Sequence, residues 1–169
     1  DVYKRQVMRK LFLLAAGLAM TLTACQKDEV SPSAGATSQT ITVSIPQGVQ
    51  TRAAAADFGD GSQIDRCLLQ IYRNGQPYGE QQTATVTGNT ATFNLRLVAQ
   101  QKYDFVFWAD CSEAGYETDD LSAITLGSDA DYTGNDDKFD AFFLCKKDYT
   151  VTESFSETFT LRRPFGQLN

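Results

Sequence analysis

The chain of 169 residues contains no histidine. Histidine is the commonest general base in enzymes and a frequent zinc ligand, so its absence removes many catalytic and zinc-binding designs. None of its four cysteines has the Cys-x-x-Cys spacing of zinc or redox sites. Adjacent carboxylates such as Asp119 and Asp120 fall in a predicted loop, which does not hold the fixed separation that acid/base chemistry needs. We therefore expect neither an enzymatic activity nor a cofactor.

Positive charge is also scarce. The whole chain has 15 Lys plus Arg against 21 Asp plus Glu, for a net charge of −6. From Cys25 onward the balance is 11 against 20, or about −9. Because nucleic-acid binding needs a basic surface facing the phosphates, we expect no nucleic-acid partner.

The chain lacks an apolar run long enough to cross a bilayer, which takes about 20 residues. Its longest such run, Leu11 to Leu22, follows Met8-Arg9-Lys10 and precedes Thr23-Ala24-Cys25. A basic start, a short apolar core and small residues before a cysteine are typical of a bacterial export signal. We interpret residues 8–24 as a lipoprotein signal peptide and residues 1–7 as a non-native leader.

The end of this signal resembles a lipobox, which implies that Cys25 carries a lipid and becomes the first residue of the mature protein. The following residues, Gln26, Lys27, Asp28 and Glu29, resemble the surface-export signal of Gram-negative lipoproteins; the alternative is an ordinary solvated tether. A diacyl group together with an amide-linked chain anchors a protein stably to a membrane. The expected location is therefore the outer membrane, on the cell surface.

The remaining chain predicts one domain. Residues 25–38 are rich in Ser, Ala, Gly and Thr and predict a flexible tether, and the folded domain is predicted over 39–165. Short alternating segments separated by Gly and Asn turns, with no sustained helical period, predict an all-β sandwich of about seven antiparallel strands. The segment Lys102 to Asp110 is apolar on both faces and should be central. Predicted strands are Thr40–Ile45, Arg66–Tyr72, Thr83–Val86, Thr92–Val98, Lys102–Asp110, Asp140–Cys145, Tyr149–Thr152 and Ser154–Leu161.

Three cysteines remain after Cys25. An exported domain meets an oxidising compartment in which disulfides persist. Cys111 follows the predicted strand Lys102–Asp110, and Cys145 ends the predicted strand Asp140–Cys145. We therefore predict a bridge between these two cysteines that closes the acidic loop 111–138. Cys67 shares a strand face with Leu69 and Ile71 and is interpreted as a small buried apolar residue.

Part of the acidic loop has the oxygen spacing of a calcium loop, with Gly134 at its sixth position. Its eighth position is Asp136 instead of an apolar residue, its twelfth is an aspartate instead of a glutamate, and no helices flank it. A solvated acidic loop is therefore the favoured interpretation. The candidate ligands are Asp129, Asp131, Thr133, Asn135, Asp137 and Asp140.

Taken together, several motifs resemble the N-terminal domain of fimbrillin-like lipoproteins, the type V pilins and their relatives. They are the lipobox at Cys25, the first strand with Thr51-Arg52-Ala53 after it, Tyr103 to Ala109, Asp140 to Phe143, and Arg163 to Asn169. The resemblance implies a transthyretin-like, Greek-key β-sandwich. It also implies a second domain, whose region would start at residues 166–169.

The resemblance further implies a mechanism. In this family a trypsin-like protease cuts after an arginine in the loop that follows the first strand, and here that arginine is Arg52. A strand from the next fimbrial subunit then fills the open groove. The expected function is a fimbrial subunit or accessory adhesin; the alternative is an uncut surface lipoprotein that binds a glycan or host protein through Trp108, Tyr116 or Tyr132.

Overall fold

The computed structural model describes residues 35–46, 60–132 and 137–164. These residues form an all-β sandwich, as the sequence predicts. Seven of the strands have four or more residues. Short 3-10 helices lie at Ser112–Ala114 and Asp137–Phe139. The strands are β1 (Ala36–Ser44), β2 (Arg66–Arg73), β3 (Gln76–Pro77), β4 (Gln82–Thr85), β5 (Thr90–Val98), β6 (Gln101–Asp110), β7 (Tyr116–Glu117), β8 (Thr125–Leu126), β9 (Ala141–Val151) and β10 (Phe155–Thr160).

Two sheets make the sandwich. The first has the order β10-β1-β5, and the second has the order β3-β2-β6-β9 with β4 also paired to β2. The pair of β7 and β8 is a separate small ribbon. In the first sheet β1 is antiparallel to β5 but parallel to β10. The prediction that all strands are antiparallel is therefore wrong for this one pair. A parallel pair joins strands that are far apart in sequence, and local patterns cannot specify it.

The core lies between the inner faces of the two sheets. Strand β5 alternates exposed and buried residues along its whole length, which is the period-two pattern of a strand with one buried face. Strand β6 lies between β2 and β9, which confirms that it is central. Fully buried members of this core are Ile41, Val43, Cys67, Leu69, Leu97, Tyr103, Phe105, Phe107, Phe142, Val151 and Leu161.

A second apolar layer covers the outer face of β6. Leu68, Val106 and Trp108 of the second sheet are buried there beneath Leu121, which comes from the segment between β7 and β8. The two apolar faces predicted for β6 are therefore both covered. No helix among the described residues is long and apolar enough to cross a membrane.

Tight turns fall where the sequence predicts them. Asn74 and Gly75 have φ values of 53° and 75°, and Gly88 and Asn89 have values of 55° and 67°. Left-handed conformation at both central positions is what short hairpin turns require, and Gly and Asn adopt it at low cost.

The closing strands differ from the prediction. The sequence predicts two strands, over residues 140–145 and 149–152, whereas β9 runs continuously over Ala141–Val151. The predicted break is a β-bulge: the register shifts between Tyr103 and Phe105, and Asp148 has a φ of 54°. The Asp148 N–H donates to Asp104 Oδ1 at 2.7 Å, which stabilises the bulge.

The start of the domain also differs. The sequence predicts a tether up to residue 38, but residues 36–38 belong to β1. There they pair with Val98, Leu97 and Arg96 of β5. Backbone pairing with β5 holds this segment although its composition is that of a linker.

Candidate functional site

Strand β1 occupies a groove between β5 and β10. It pairs with β5 from Ala36 to Ser44 and with β10 from Gln39 to Ser44. Both edges of β1 are therefore used, and its removal would leave β5 and β10 facing each other across the width of one missing strand. Interstrand spacing is about 4.8 Å, so that opening would be about 10 Å wide. We call this opening, with its walls β5 and β10, the β1 groove.

The inward side chains of β1, and that of Ile45 directly after it, are buried in the core. Ile41 and Val43 have no exposed surface, and Ile45 is also buried. Ile41 lies opposite Phe93, and Val43 lies opposite Ala91, on the β5 wall. Burying aliphatic side chains of this size stabilises the fold by about 1.5–3 kcal/mol each, so an empty groove would be strongly unfavourable.

One end of the groove is polar. The side chain of Gln39 is buried and points inward with the apolar residues of β1. Its Oε1 accepts the N–H of Leu97 at 3.1 Å, and its Nε2 donates to Thr37 Oγ1. Thr37 Oγ1 donates in turn to the Leu97 carbonyl at 3.4 Å. Gln39 and Thr37 thus bind both backbone polar groups of Leu97, and we call this set the Gln39 clasp.

The far end of the groove is connected to the second sheet. The N–H of Leu161 donates to the Ser44 carbonyl at 2.9 Å, directly after β10 ends. Arg162 then exchanges two backbone hydrogen bonds with Phe143 of β9, at 2.7 and 3.0 Å. The chain therefore passes from the first sheet to the second at Leu161, whose side chain is fully buried.

Asp140 joins this connection to the residues that follow segment 47–59. Its Oδ2 accepts the N–H of Gly61 at 2.9 Å, and its two oxygens accept from Arg163 at 2.8 and 3.4 Å. Gly61 has a φ of 76°, and a Cβ built there would lie 3.1 Å from the Phe142 ring. Glycine is thus needed at this position for both its backbone conformation and its small size.

A second feature is a cleft of about 400 Å³ between the two 3-10 helices. Tyr132 lies beside it, 61% exposed, with its ring 4.9 Å from that of Phe139. Lys138 lies over the same Phe139 ring at 4.9 Å. Charged and aromatic residues of the lining are Glu113, Glu117, Asp129, Asp131, Lys138 and Phe139.

Two of the three predicted ligand-stacking aromatics are not available for that role. Trp108 is buried and donates from Nε1 to Asp110 Oδ2 at 2.9 Å. Tyr116 packs edge-on against Trp108 and donates its hydroxyl to the Phe139 carbonyl at 2.7 Å. Burial raises the pKa of Tyr116 to about 12. Of the three residues, Tyr132 alone presents a largely exposed ring.

The predicted disulfide between Cys111 and Cys145 is wrong for this fold. Both are free thiols, as is Cys67. Cys145 lies opposite Val106, whereas Asp110, the neighbour of Cys111, lies opposite Ala141. At about 3.4 Å per residue, the five positions between Val106 and Cys111 separate the two cysteines by about 17 Å. A disulfide requires Cα atoms within about 7 Å.

The predicted calcium ligands are not assembled around Asp140. This carboxylate is occupied by Arg163 and Gly61, and Asp129 accepts a hydrogen bond from Ser128. Thr133 and Asn135 lie outside the described residues. Within 35–46, 60–132 and 137–164, no group of three or more Cys, Asp or Glu side chains is arranged to hold a metal ion.

The remaining predicted sites fall outside the described part of the chain. They are the lipidation site Cys25, the export signal Gln26 to Glu29 and the processing site Arg52. Sequence reasoning missed Gln39 and the pair of Asp140 with Arg163. Gln39 lies two residues before Ile41 and therefore faces inward like Ile41 and Val43. Continuing the alternating pattern of the first strand back to residue 39 would have identified it. The pair had no sequence signal, because tertiary folding alone brings its members together.

Comparison with known proteins gives one family and one structural neighbour. The model of a family of unknown function (DUF6562) matches residues 31–169. No curated protein matches the chain. A Bacteroides thetaiotaomicron structure of the DUF1812 group, for which polysaccharide binding has been proposed, is 16% identical with a TM-score of 0.39. That alignment covers 73% of this chain and 47% of the other, so this chain spans about half the length of that protein.

Proposed function

This chain belongs to DUF6562, a family of unknown function, and we propose that it is a surface lipoprotein acting as a fimbrial subunit or accessory adhesin. In this proposal it is anchored to the outer membrane through Cys25 and assembles with other fimbrial subunits by strand exchange. Its role is structural and not catalytic. The resemblance of its sequence to fimbrillin-like lipoproteins motivates the proposal, and the position of β1 supports it.

The supporting observation is that β1 is an inner strand joined to the next element through segment 47–59, which contains Arg52. A cut after Arg52 would break the covalent link between β1 and the rest of the sandwich. Loss of β1 would then expose unpaired N–H and C=O groups of β5 and β10 together with apolar core side chains. Such a groove is filled by β-augmentation from a second chain.

The residues on both sides of segment 47–59 differ in how they are held after such a cut. On the downstream side, Gly61 is bound by Asp140 and Ile64 is buried, so this end stays attached to the second sheet. On the upstream side, β1 is held by its own sheet pairing and by the burial of its side chains. Directly after β1, the Ile45 N–H also donates to the Asn89 carbonyl. Cleavage would therefore leave β1 held by noncovalent contacts alone, which a strand from another subunit can replace, and leave the rest of the domain in place.

An arginine-specific protease tests the proposal. The full chain should lose its residues up to Arg52 on treatment, as read by N-terminal sequencing, and should form polymers visible by electron microscopy. The Arg52→Ala variant should do neither. Arg96→Ala is the matched control, because Arg96 is exposed but lies within β5 and should not be cut. An Arg52→Ala protein that still loses the segment and polymerises would contradict this processing step.

The lipid anchor is tested separately. Expressed in a Gram-negative host, the chain should incorporate labelled palmitate and appear on intact cells by antibody labelling. Cys25→Ala should remove the lipid, and replacing Lys27, Asp28 and Glu29 with Ala should retain the lipid but reduce surface labelling. Full surface labelling of the triple variant would contradict the export role of these residues.

A second candidate function is ligand binding without polymerisation, favoured by the cleft beside exposed Tyr132. Aromatic rings next to polar groups are suited to stacking on a glycan or contacting a protein of the host or of another bacterium. A glycan array with the full chain distinguishes this function, and Tyr132→Ala should abolish any binding through the cleft. Binding by a protein that remains monomeric after protease treatment would favour this candidate.

A further inference from the structure

The Gln39 clasp lies inside an otherwise apolar groove. The described residues include four buried polar or charged side chains, namely Gln39, Gln70, Asp110 and Asp140. Of these, Gln39 is the one that belongs to β1 and contacts the β5 wall. Its partners are the Leu97 N–H at 3.1 Å and the hydroxyl of Thr37.

Alternation of side chains cannot by itself fix the register of a strand in this groove. A slip by one residue would turn the apolar face of β1 outward, but a slip by two residues would keep that face inward. Gln39 distinguishes these registers. If the strand shifts by two residues so that Gln39 takes the place of Ile41, the Gln39 amide lies opposite Phe93. In the native register that position is fully buried. A buried amide without partners is costly, so this register is disfavoured.

A slip in the other direction is disfavoured for a related reason. Ile41 would then take the place of Gln39 opposite Leu95, and the acceptor that now binds the Leu97 N–H would be lost. A single buried polar side chain in an apolar interface specifies register in this way in coiled coils. The clasp also specifies which way the strand runs in the groove, because its partner Leu97 lies at one end of the groove.

We propose that the β1 groove selects its incoming strand at Leu97 of β5, whose N–H and carbonyl bind the Gln39 clasp of the resident β1. Resting on the strand exchange proposed above, this inference defines the chemistry of the partner segment. The segment is an extended strand antiparallel to β5. It has a hydrogen-bond acceptor at the inward position that Gln39 holds opposite Leu95, and aliphatic side chains two, four and six residues later, as at Ile41, Val43 and Ile45.

The test uses the full chain with one specific protease site introduced within segment 47–59 and then cut. Fluorescent peptides of residues 35–46 compete for the groove against the resident β1, and their affinities and dissociation rates are measured. The wild-type peptide should enter. The Gln39→Met peptide, similar in length but without the amide, should bind about tenfold to a hundredfold more weakly, because the Leu97 N–H loses its acceptor.

The Thr40→Val peptide is the matched control. Thr40 lies next to Gln39 but faces outward, where its hydroxyl donates to Asn94 Oδ1 at 3.2 Å on an exposed surface. Its affinity should stay within about threefold of wild type, since exposed hydrogen bonds contribute little. Equal affinity of the Gln39→Met and wild-type peptides would overturn the selection by Gln39 and leave strand exchange intact. Failure of every peptide to enter would overturn both proposals.

Discussion

Arg163 and Asp140 form a two-point ion pair, with the guanidinium nitrogens 2.8 and 3.4 Å from the two carboxylate oxygens. Arg163 also lies over the Phe142 ring at 4.8 Å. Because Asp140 binds Gly61 as well, one carboxylate joins the chain after β10 to the chain before β2. This connection holds the segments around Gly61 and Arg163 to the start of β9, near the end of the β1 groove. None of its residues belongs to β1.

Replacing the carboxylate should weaken that connection. Asp140→Asn keeps the size of the side chain but removes the charge that balances Arg163, and we expect it to lower the free energy of unfolding by about 2–4 kcal/mol. Urea denaturation measures the change. Lys102→Ala is the control: its pair with Asp148 spans 3.9 Å between exposed side chains, so its removal should cost less than about 1 kcal/mol. Equal effects of the two variants would show that the Asp140 pair has no special role.

The apolar face of β1 should be essential to the intact domain. Ile41→Ala removes a fully buried side chain and should destabilise the protein by about 2–5 kcal/mol. Thr42→Ala changes the next residue, which faces the other side of the sheet, and should cost less than about 1 kcal/mol. Thermal and urea unfolding of the uncut full chain check both values. A small effect of Ile41→Ala would mean that β1 contributes little to the core.

Much of this fold could be predicted from local patterns. Alternation identified β5, apolar residues on both faces identified the central β6, and the pairs Asn74-Gly75 and Gly88-Asn89 identified two turns, because these features depend on neighbouring residues alone. The continuous β9 was missed since a bulge with Asp148 in a left-handed conformation replaces the expected break. The parallel pairing of β1 with β10 had no local signal, and neither did the ion pair of Asp140.

Calcium should not stabilise the domain. Asp140, the twelfth position of the predicted calcium loop, already binds Arg163 and Gly61, and within residues 129–132 and 137–140 no three carboxylates are arranged to hold a metal ion. We expect no shift in Tm and no heat of titration at millimolar calcium. A saturable heat that disappears in an Asp129→Asn variant would contradict this expectation and restore the calcium site.

The three cysteines of the domain should be recovered as separate thiols. Non-reducing peptide mapping should give no peptide that joins Cys111 to Cys145, because the register of β6 and β9 separates them. Burial raises the pKa of Cys67 to about 12, so this thiol stays protonated at pH 8 and should resist alkylation in the native protein. Half-buried Cys145 should react earlier than Cys67. A cross-linked peptide of Cys111 and Cys145 would require a different register.

Alkaline unfolding should depend on Tyr116. Burial raises the pKa of its hydroxyl to about 12, above the ordinary value of 10.0 that it has when unfolded. At pH below 10 both states keep the proton, so the stability is fully present. Between pH 10 and 12 the unfolded state loses its proton first, so the free energy of unfolding falls as the pH rises.

The Tyr116→Phe variant tests this dependence. It retains the edge-on contact with Trp108 but removes the hydrogen bond to the Phe139 carbonyl, so at pH 8 it should be less stable by about 1 kcal/mol. From pH 10 to 12 its stability should decrease less steeply than that of the wild type, because one titrating group is gone. The measurement is urea unfolding across this range for both proteins. Parallel curves would show that Tyr116 titrates normally and that its burial does not contribute to the pH dependence.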